Sequence, residues 1–296
     1  MCYSICMLID THGHINFNAF REDGEEVLKR TLEQGMQVIM PGSQYSTSKR
    51  AVEIAERYKE GVYAAIGLHP IHIGEPRKVD VLETQSSLDS TRDKESWEEF
   101  ETHAEEFDYE KYKELAKSKK VVAVGEVGLD YYYFPKSKAK RAAIKEKQKE
   151  VLRQQVDLAD EFALPVIFHC RVAHDDLIEF LEKRKGIKGV VHSYTGTAEH
   201  TKKFMGLGLS FGFNGLILKN VAALPNQKEV ISAIPLDRIV LETDSPYLIP
   251  PQKQGERNEP LFLRYIAEEI AAIKKVSLEE VAVRTAQNAK KLFALA

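Results

Sequence analysis

At 296 residues, with 43% hydrophobic and 29% charged side chains, the chain has an ordinary soluble composition and ample material for a core. Its net charge of −3 excludes a global positive field, so a polyanionic partner would have to be met by a local patch or by bound cations. The three cysteines (Cys2, Cys6 and Cys170) are odd in number and lack a metal-finger spacing, which points to a reduced, cytoplasmic compartment. The apolar start is stopped by Asp10, too early for a signal peptide or a membrane span.

Apolar runs rich in β-branched residues recur along the chain, each followed by an amphipathic stretch. Strands are expected at 4–9, 36–40, 62–66, 121–125, 164–168, 188–192, 207–213 and 238–242. Helices are expected near 23–34, 45–59, 108–118, 138–162, 174–184, 197–205, 226–233 and 259–274, and Ser277-Leu278-Glu279-Glu280 opens a terminal one with a capping-box pattern. Short buried strands alternating with helices argue for a parallel sheet covered by helices. Eight such units predict a (β/α)8 TIM barrel forming one domain over 1–296, with chemistry at the C-terminal ends of the strands. An open doubly wound sheet is the alternative.

Two regions break the rhythm. Residues 75–110 form a long connection whose second half is acidic (Glu98, Glu99, Glu101, Glu105, Glu106), an insertion near 80–110 expected as an elaborated loop with a solvated helix. Residues 136–153 are basic, with Lys136, Lys138, Lys140, Arg141, Lys145, Lys147 and Lys149. They form either the exposed face of a long helix or a rim that attracts phosphate.

The polar residues that remain fall at strand ends. His12 and His14 follow the first apolar run at a spacing that puts both side chains on one side of an extended chain. Later strands end in Glu126, His169, His192 and Asp244. In a barrel these ends ring one mouth. Four imidazoles and two carboxylates exceed the three or four ligands of one zinc ion, and suit two divalent ions bridged by a carboxylate. Histidine suits zinc or manganese and carboxylate suits magnesium, so the ligand types leave the metal open.

The motifs also occur in a familiar order: Asp10-Thr11-His12-Gly13-His14, Gly67-Leu68-His69-Pro70, Gly125-Glu126-Val127-Gly128-Leu129-Asp130-Tyr131-Tyr132, His169-Cys170-Arg171, His192-Ser193-Tyr194-Thr195-Gly196 and Glu242-Thr243-Asp244-Ser245-Pro246-Tyr247-Leu248. Together they resemble the TatD family of metal-dependent deoxyribonucleases, among the amidohydrolase-like TIM barrels, from about residue 8 to 293. The resemblance implies that His12, His14, Glu126 and Asp244 bind one metal, and that Glu126 bridges to a second held by His169 and His192. It implies that Asp244 is also the general base. His69 would contact substrate phosphate or stabilise its turn, Arg171 would fork to phosphate or make a structural ion pair, and Tyr194 would sit near the leaving group or pack. His72, His103, His174 and His200 match no ligand motif and are expected on surfaces or helices.

The expected activity is two-metal hydrolysis of DNA phosphodiesters, with the resemblance suggesting 3′-to-5′ action on single strands. Bases would stack near Tyr131, Tyr132 and Tyr194, with no membrane and no obligate protein partner. Hydrolysis of a small ester, lactone or amide is the alternative enzyme reading. A non-catalytic scaffold is disfavoured because all six ligand positions are intact.

Overall fold

The computed structural model describes residues 8–74, 78–80, 99–101, 104–184, 186–219 and 221–295. Eight parallel strands close into a barrel: β1 (Ile9–Asp10), β2 (Gln37–Pro41), β3 (Val62–Ile66), β6 (Val121–Asp130), β7 (Val166–Arg171), β8 (Gly189–Val191), β9 (Ser210–Phe213) and β10 (Ile239–Leu241). Each pairs with the next, and Asp10 pairs with Leu241 to shut the ring. Between β3 and β6, the short strands β4 (Lys78–Asp80) and β5 (Glu99–Glu101) form an antiparallel pair outside the barrel. The acidic stretch is therefore partly extended. A solvated helix is expected in this stretch, but 99–101 are strand and 104–108 are not helical, while 81–98 and 102–103 lie outside the described residues. Positions 4–7 of the first expected strand, with Cys2 and Cys6, lie outside them too.

Around the barrel run α1 (Gly24–Glu33), α2 (Tyr45–Ala55), α3 (Tyr109–Ala116), α4 (Lys138–Glu161), α5 (His174–Glu182), α6 (Ala198–Gly206), α7 (Gln227–Ala233), α8 (Leu263–Lys274) and α9 (Leu278–Phe293). The strands are near-continuous apolar runs because both of their faces are covered. One cluster, with Val38, Val124 and Phe211, packs outward against the helices. A second, with Ile9, Ile39, Tyr63, Val122, Ile167 and Val240, fills the barrel.

Helix α9 seals the mouth at the N-terminal ends of the strands. Its Ala286, Ala289 and Phe293 join the interior cluster, and Asn288 Nδ2 donates to the carbonyls of Leu236 and Ile239, 2.8 Å each. Ser277 Oγ accepts from Glu280 N at 3.0 Å to start that helix. With this end closed, polar chemistry is confined to the other mouth.

Strand β6 is twice as long as its apolar run predicts. The continuous apolar run ends at Gly125 because Glu126 and then Asp130 interrupt it, although Val127 and Leu129 between them are core residues. The ladder with β7 instead slips between Val124 and Val127 and continues to Asp130 opposite Arg171. The polar residues do not end the strand; they face the open mouth. Gly128 makes this possible, since it has φ +153° and a Cβ there would lie 1.9 Å from the carbonyl oxygen of His169.

Helix α4 carries the basic run, and Lys136, Lys138, Lys140 and Arg141 at its start are exposed. Its opposite face buries two glutamines seven residues apart. Gln148 accepts from Asp130 N (3.0 Å) and donates to Asp130 O (3.1 Å) and Pro70 O (3.2 Å). Gln155 accepts from Leu68 N (2.7 Å) and donates to Leu68 O (3.0 Å). These satisfied amides fix the loops after β3 and β6, where His69 and Asp130 stand.

Candidate metal centre

The chain leaving β1 brings His12 and His14 to the open mouth with their Nε2 atoms 3.1 Å apart. His14 Nδ1 lies 3.0 Å from the carbonyl oxygen of Pro41. A carbonyl only accepts, so the His14 proton sits on Nδ1 and Nε2 presents a lone pair. That lone pair faces Asp244 Oδ1 at 3.4 Å and Glu126 Oε2 at 3.9 Å. A lone pair aimed at carboxylate oxygens is repulsive unless a cation lies among them. The donor set therefore fits a metal.

Glu126, buried at the middle of the mouth, has its two oxygens turned to different histidines. Oε2 lies 3.2 Å from His12 Nε2 and 3.9 Å from His14 Nε2. Oε1 lies 2.7 Å from His169 Nδ1, 3.3 Å from His69 Nε2 and 3.6 Å from His192 Nε2. Asp244 reaches both sides, with Oδ1 3.8 Å from His12 Nε2 and Oδ2 3.9 Å from His192 Nε2. The rings of His12 and His192 stack at 3.6 Å. All six expected ligands thus converge, from β1, β6, β7, β8 and β10.

The site is electrostatically divided. Burial, followed by the neighbouring His192, pushes His12 down to about 3, keeping it neutral. Burial also opposes charge on His169, but hydrogen bonds to Asp130 and Glu126 override it and lift the ring to about 9. At His192 burial is likewise outweighed, by Glu242 and Glu126, and the ring rises to about 10. Burial disfavours a charged Glu126, yet the surrounding His69, His192 and His12 hold it well below the usual carboxylate range. A field that favours protons on His169 and His192 equally favours a divalent cation, which takes their place at the ring nitrogens.

Three more carboxylates stand behind these side chains, in a role that the ligand motifs alone do not assign. Asp10 Oδ1 accepts from His12 N (3.1 Å) and Thr243 N (2.9 Å), and its Oδ2 accepts from Thr243 Oγ1 (2.6 Å). It ties the first strand to the last beside their ligands, and burial raises it to about 7. Asp130 Oδ2 meets His169 Nε2 at 3.1 Å, and Glu242 Oε1 meets His192 Nδ1 at 3.1 Å. Carboxylates behind ligating imidazoles fix ring orientation and raise ligand basicity. A signal is present in the sequence: Asp10 precedes His12 by two, Glu242 precedes Asp244 by two, and Asp130 follows Glu126 by four, the period of one strand face.

The other sequence candidates separate. His69 stands beside Glu126, and its Nδ1 accepts from Ile71 N at 3.0 Å. The proton is thereby on Nε2, which makes His69 a donor to Glu126, although its distances alone would group it with Glu126 and His169 as a ligand set. Arg171 stands among aromatic rings. Its guanidinium stacks 3.7 Å over Tyr132, lies 5.1 Å from the Tyr133 ring and donates to Tyr133 Oη at 3.4 Å. Tyr194 is not brought to the site. It is 2% exposed, packed against Phe204, Phe211 and Phe213, with its hydroxyl 2.9 Å from Thr201 Oγ1.

His72, expected on a surface or a helix, ends the short 3-10 helix Pro70–His72 and is buried edge-on to His69. His174 and His200 stack on each other at 4.8 Å between α5 and α6, and His103 lies outside the described residues. Asn258 Nδ2 donates to Thr243 O (3.0 Å) and Tyr247 O (2.5 Å), anchoring the loop after Asp244.

A family model described as TatD related DNase matches residues 9–294. The chain belongs to the TatD family. Over 290 residues it is 37% identical to a Bacillus subtilis protein named uncharacterized metal-dependent hydrolase YabD, covering 97% of this chain and 99% of that one. It is 31% identical over 296 residues to the 3′-5′ ssDNA/RNA exonuclease TatD of Pantoea vagans, covering 98% and 100%. Among solved structures, the TatD homologue YJJV from Escherichia coli superposes with a TM-score of 0.77 at 29% identity, covering 99% and 100%. A TatD-family hydrolase from Entamoeba histolytica, at 24% identity and TM-score 0.73, shares the fold. This TatD-family chain is accordingly a metal-dependent hydrolase whose buried histidine and glutamate groups can bind metal. Among the described residues no helix is long and apolar enough to cross a membrane.

Proposed function

We propose that the protein is a two-metal exonuclease that hydrolyses phosphodiester bonds of single-stranded DNA from the 3′ end. One observation carries the reading: the two oxygens of Glu126 face two separate histidine pairs, His12 with His14 and His169 with His192. This is the arrangement a bridging carboxylate requires. His12, His14, Glu126 and Asp244 would hold one ion, and Glu126, His169 and His192 the other. When bound, such a pair neutralises phosphoryl oxygens and activates water for in-line attack on phosphorus. The name of the Pantoea relative supports the substrate class and polarity.

The chain's own groups divide the remaining work. Asp244, whose side chain is 17% exposed, is placed to accept the proton of the attacking water. Burial opposes its ionisation, but the surrounding imidazole cluster holds it below the usual carboxylate range, so it is ready as an acceptor at neutral pH. His69 presents its Nε2–H beside Glu126, where it can donate to a phosphoryl oxygen as charge develops.

The test is degradation of a 5′-labelled single-stranded oligonucleotide by protein reconstituted with magnesium, manganese or zinc. Asp244→Asn and EDTA serve as controls. A ladder shortening from the 3′ end, absent in both controls, is expected. Intact DNA with two ions bound would overturn the nuclease reading and turn attention to carboxylic esters and lactones.

A further inference from the structure

Beside the metal centre, between the β6–α4 loop and the start of α4, lies a cavity of about 440 Å³ lined by Tyr131, Tyr132, Phe134, Arg141 and Lys145. We infer that it is a nucleotide subsite, in which the base next to the scissile phosphate stacks on Tyr132 and the adjoining phosphate meets Arg141 and Lys145. The inference rests on the nuclease reading above and adds to it the recognition of the base.

Three observations support it. First, the wall is coupled to the centre. Tyr132 N donates to Asp130 Oδ1 at 2.9 Å, and Asp130 Oδ2 meets the candidate ligand His169 at 3.1 Å. A chain whose phosphate lies at the metals thus has this cavity as its neighbour.

Second, the aromatic surface is already set. Tyr131 donates at 2.6 Å to Asp176 Oδ2, the oxygen that also holds Lys145 Nζ at 2.9 Å. The same ammonium lies 4.4 Å over the Tyr131 ring, which leans on Phe134 at 4.7 Å. Arg171 covers one face of Tyr132 at 3.7 Å, while that ring remains 46% exposed. A base laid on Tyr132 would extend an existing cation–ring stack without ordering a new side chain. Tyr132 is one of three exposed large apolar or aromatic side chains among the described residues, and the only aromatic one.

Third, the charge is local and of the right sign. On a chain of net charge −3, the lining contributes two cations, of which Lys145 shares its charge with Asp176, and Lys138 and Lys140 continue along the exposed start of α4. Rings interleaved with cations match a single-stranded nucleic acid, whose bases offer faces and whose backbone offers phosphates. Readout by stacking tolerates any base, so the subsite would select for a base being present, with little sequence preference.

The test uses the metal-loaded full chain and a short single-stranded oligonucleotide with uncleavable phosphorothioate linkages. It carries 2-aminopurine at one terminus, each terminus in turn, and is compared with a matching oligonucleotide abasic at that position. For one terminus, the wild type should quench the fluorescence and bind the base-bearing strand on the order of tenfold more tightly than the abasic one. Tyr132→Ala should lose both effects with metal content and Tm unchanged. Tyr132→Phe should keep both, because the ring and not the hydroxyl makes the stack. Retention of the quench and the tenfold preference by Tyr132→Ala would overturn the subsite. Cleavage of ordinary DNA by a wild type indifferent to the missing base would overturn the subsite and leave the nuclease reading standing. Neither binding nor cleavage would overturn both.

Discussion

The backbone N–H of Ile71 donates to Nδ1 of His69 at 3.0 Å and so fixes the proton of that imidazole on Nε2, 3.3 Å from Glu126 Oε1. A ring in this tautomer offers the centre a donor and no lone pair. His69→Ala should therefore leave metal content unchanged while lowering kcat by about 100- to 1,000-fold, the range for one lost donor to developing charge. His169→Ala, which removes a ring nitrogen 2.7 Å from the same oxygen where a metal would displace the proton, should lower metal content itself. Elemental analysis beside steady-state kinetics separates the two. Metal loss from His69→Ala would make it a ligand after all.

Glu126 approaches both histidine pairs more closely than Asp244 does, 3.2 Å from His12 and 2.7 Å from His169, so its removal should be felt at both metal positions. Glu126→Gln keeps the volume and loses the charge. It leaves His12 and His14 on one side, and His169 and His192 on the other, without their common anion. Bound metal should fall from two ions towards none, and activity by more than about 1,000-fold. His14→Ala, acting on one side only, should retain one ion. Equal stoichiometry in the two variants would remove the bridging role.

The contrast between β6 and Tyr194 shows what the sequence could and could not reveal. All eight barrel strands and their helices were legible as apolar runs, because a strand covered on both faces has no polar alternative. The six candidate ligands were legible because a charged group at the end of such a run has only the barrel mouth to face. The end of β6 was not legible: Glu126, Gly128 and Asp130 read as a strand's end when burial is assumed to be apolar, yet they line a polar mouth. Tyr194 failed for the opposite reason. It lies two residues after His192, but Ser193 has φ +46°, which turns the chain and sends the ring into the core instead of the mouth. Nor could composition show that Glu105, in the acidic run, accepts from Tyr45 N at 3.0 Å and Tyr112 Oη at 3.1 Å and so tethers α2 to α3.

His174 carries a pH dependence separate from the metal centre. Burial, with the stacked His200 adding to it, lowers this ring from 6.5 to about 4, against an opposing pull from Asp175. The folded state thus favours neutral His174, while the unfolded chain takes up a proton near 6.5. Its contribution is complete above that value and is lost as pH falls towards 4. Between pH 7 and pH 5 the loss is about 2 kcal/mol, or roughly 4 °C in Tm for a chain of this size. His174→Gln, which cannot titrate, should show a correspondingly smaller acid-induced drop in Tm. An identical drop in variant and wild type would count against the assignment.

Glu242 is buried behind His192, with Oε1 also accepting from Ser193 N at 2.5 Å and lying 3.5 Å from Asn214 Nδ2. Its room is supplied by Gly212 on the neighbouring strand, where a Cβ would come 2.2 Å from Oε2 and 2.7 Å from the carboxyl carbon. Such an approach cannot be absorbed without moving the carboxylate, because strand backbone holds one partner and three contacts hold the other. Gly212→Ala should therefore act at a distance, displacing Glu242 and freeing His192 to turn. Metal affinity should fall by about 10- to 100-fold, as when a carboxylate behind a ligating imidazole is lost, and stability by about 1–3 kcal/mol from overpacking. Gly206→Ala is the control. That glycine ends α6, and an added methyl there would meet nothing within 4 Å, so alanine should raise stability slightly and leave metal binding alone. Titration of both variants with zinc, followed by thermal melts, decides the matter: unchanged affinity in Gly212→Ala would show that His192 does not depend on Glu242 for its orientation.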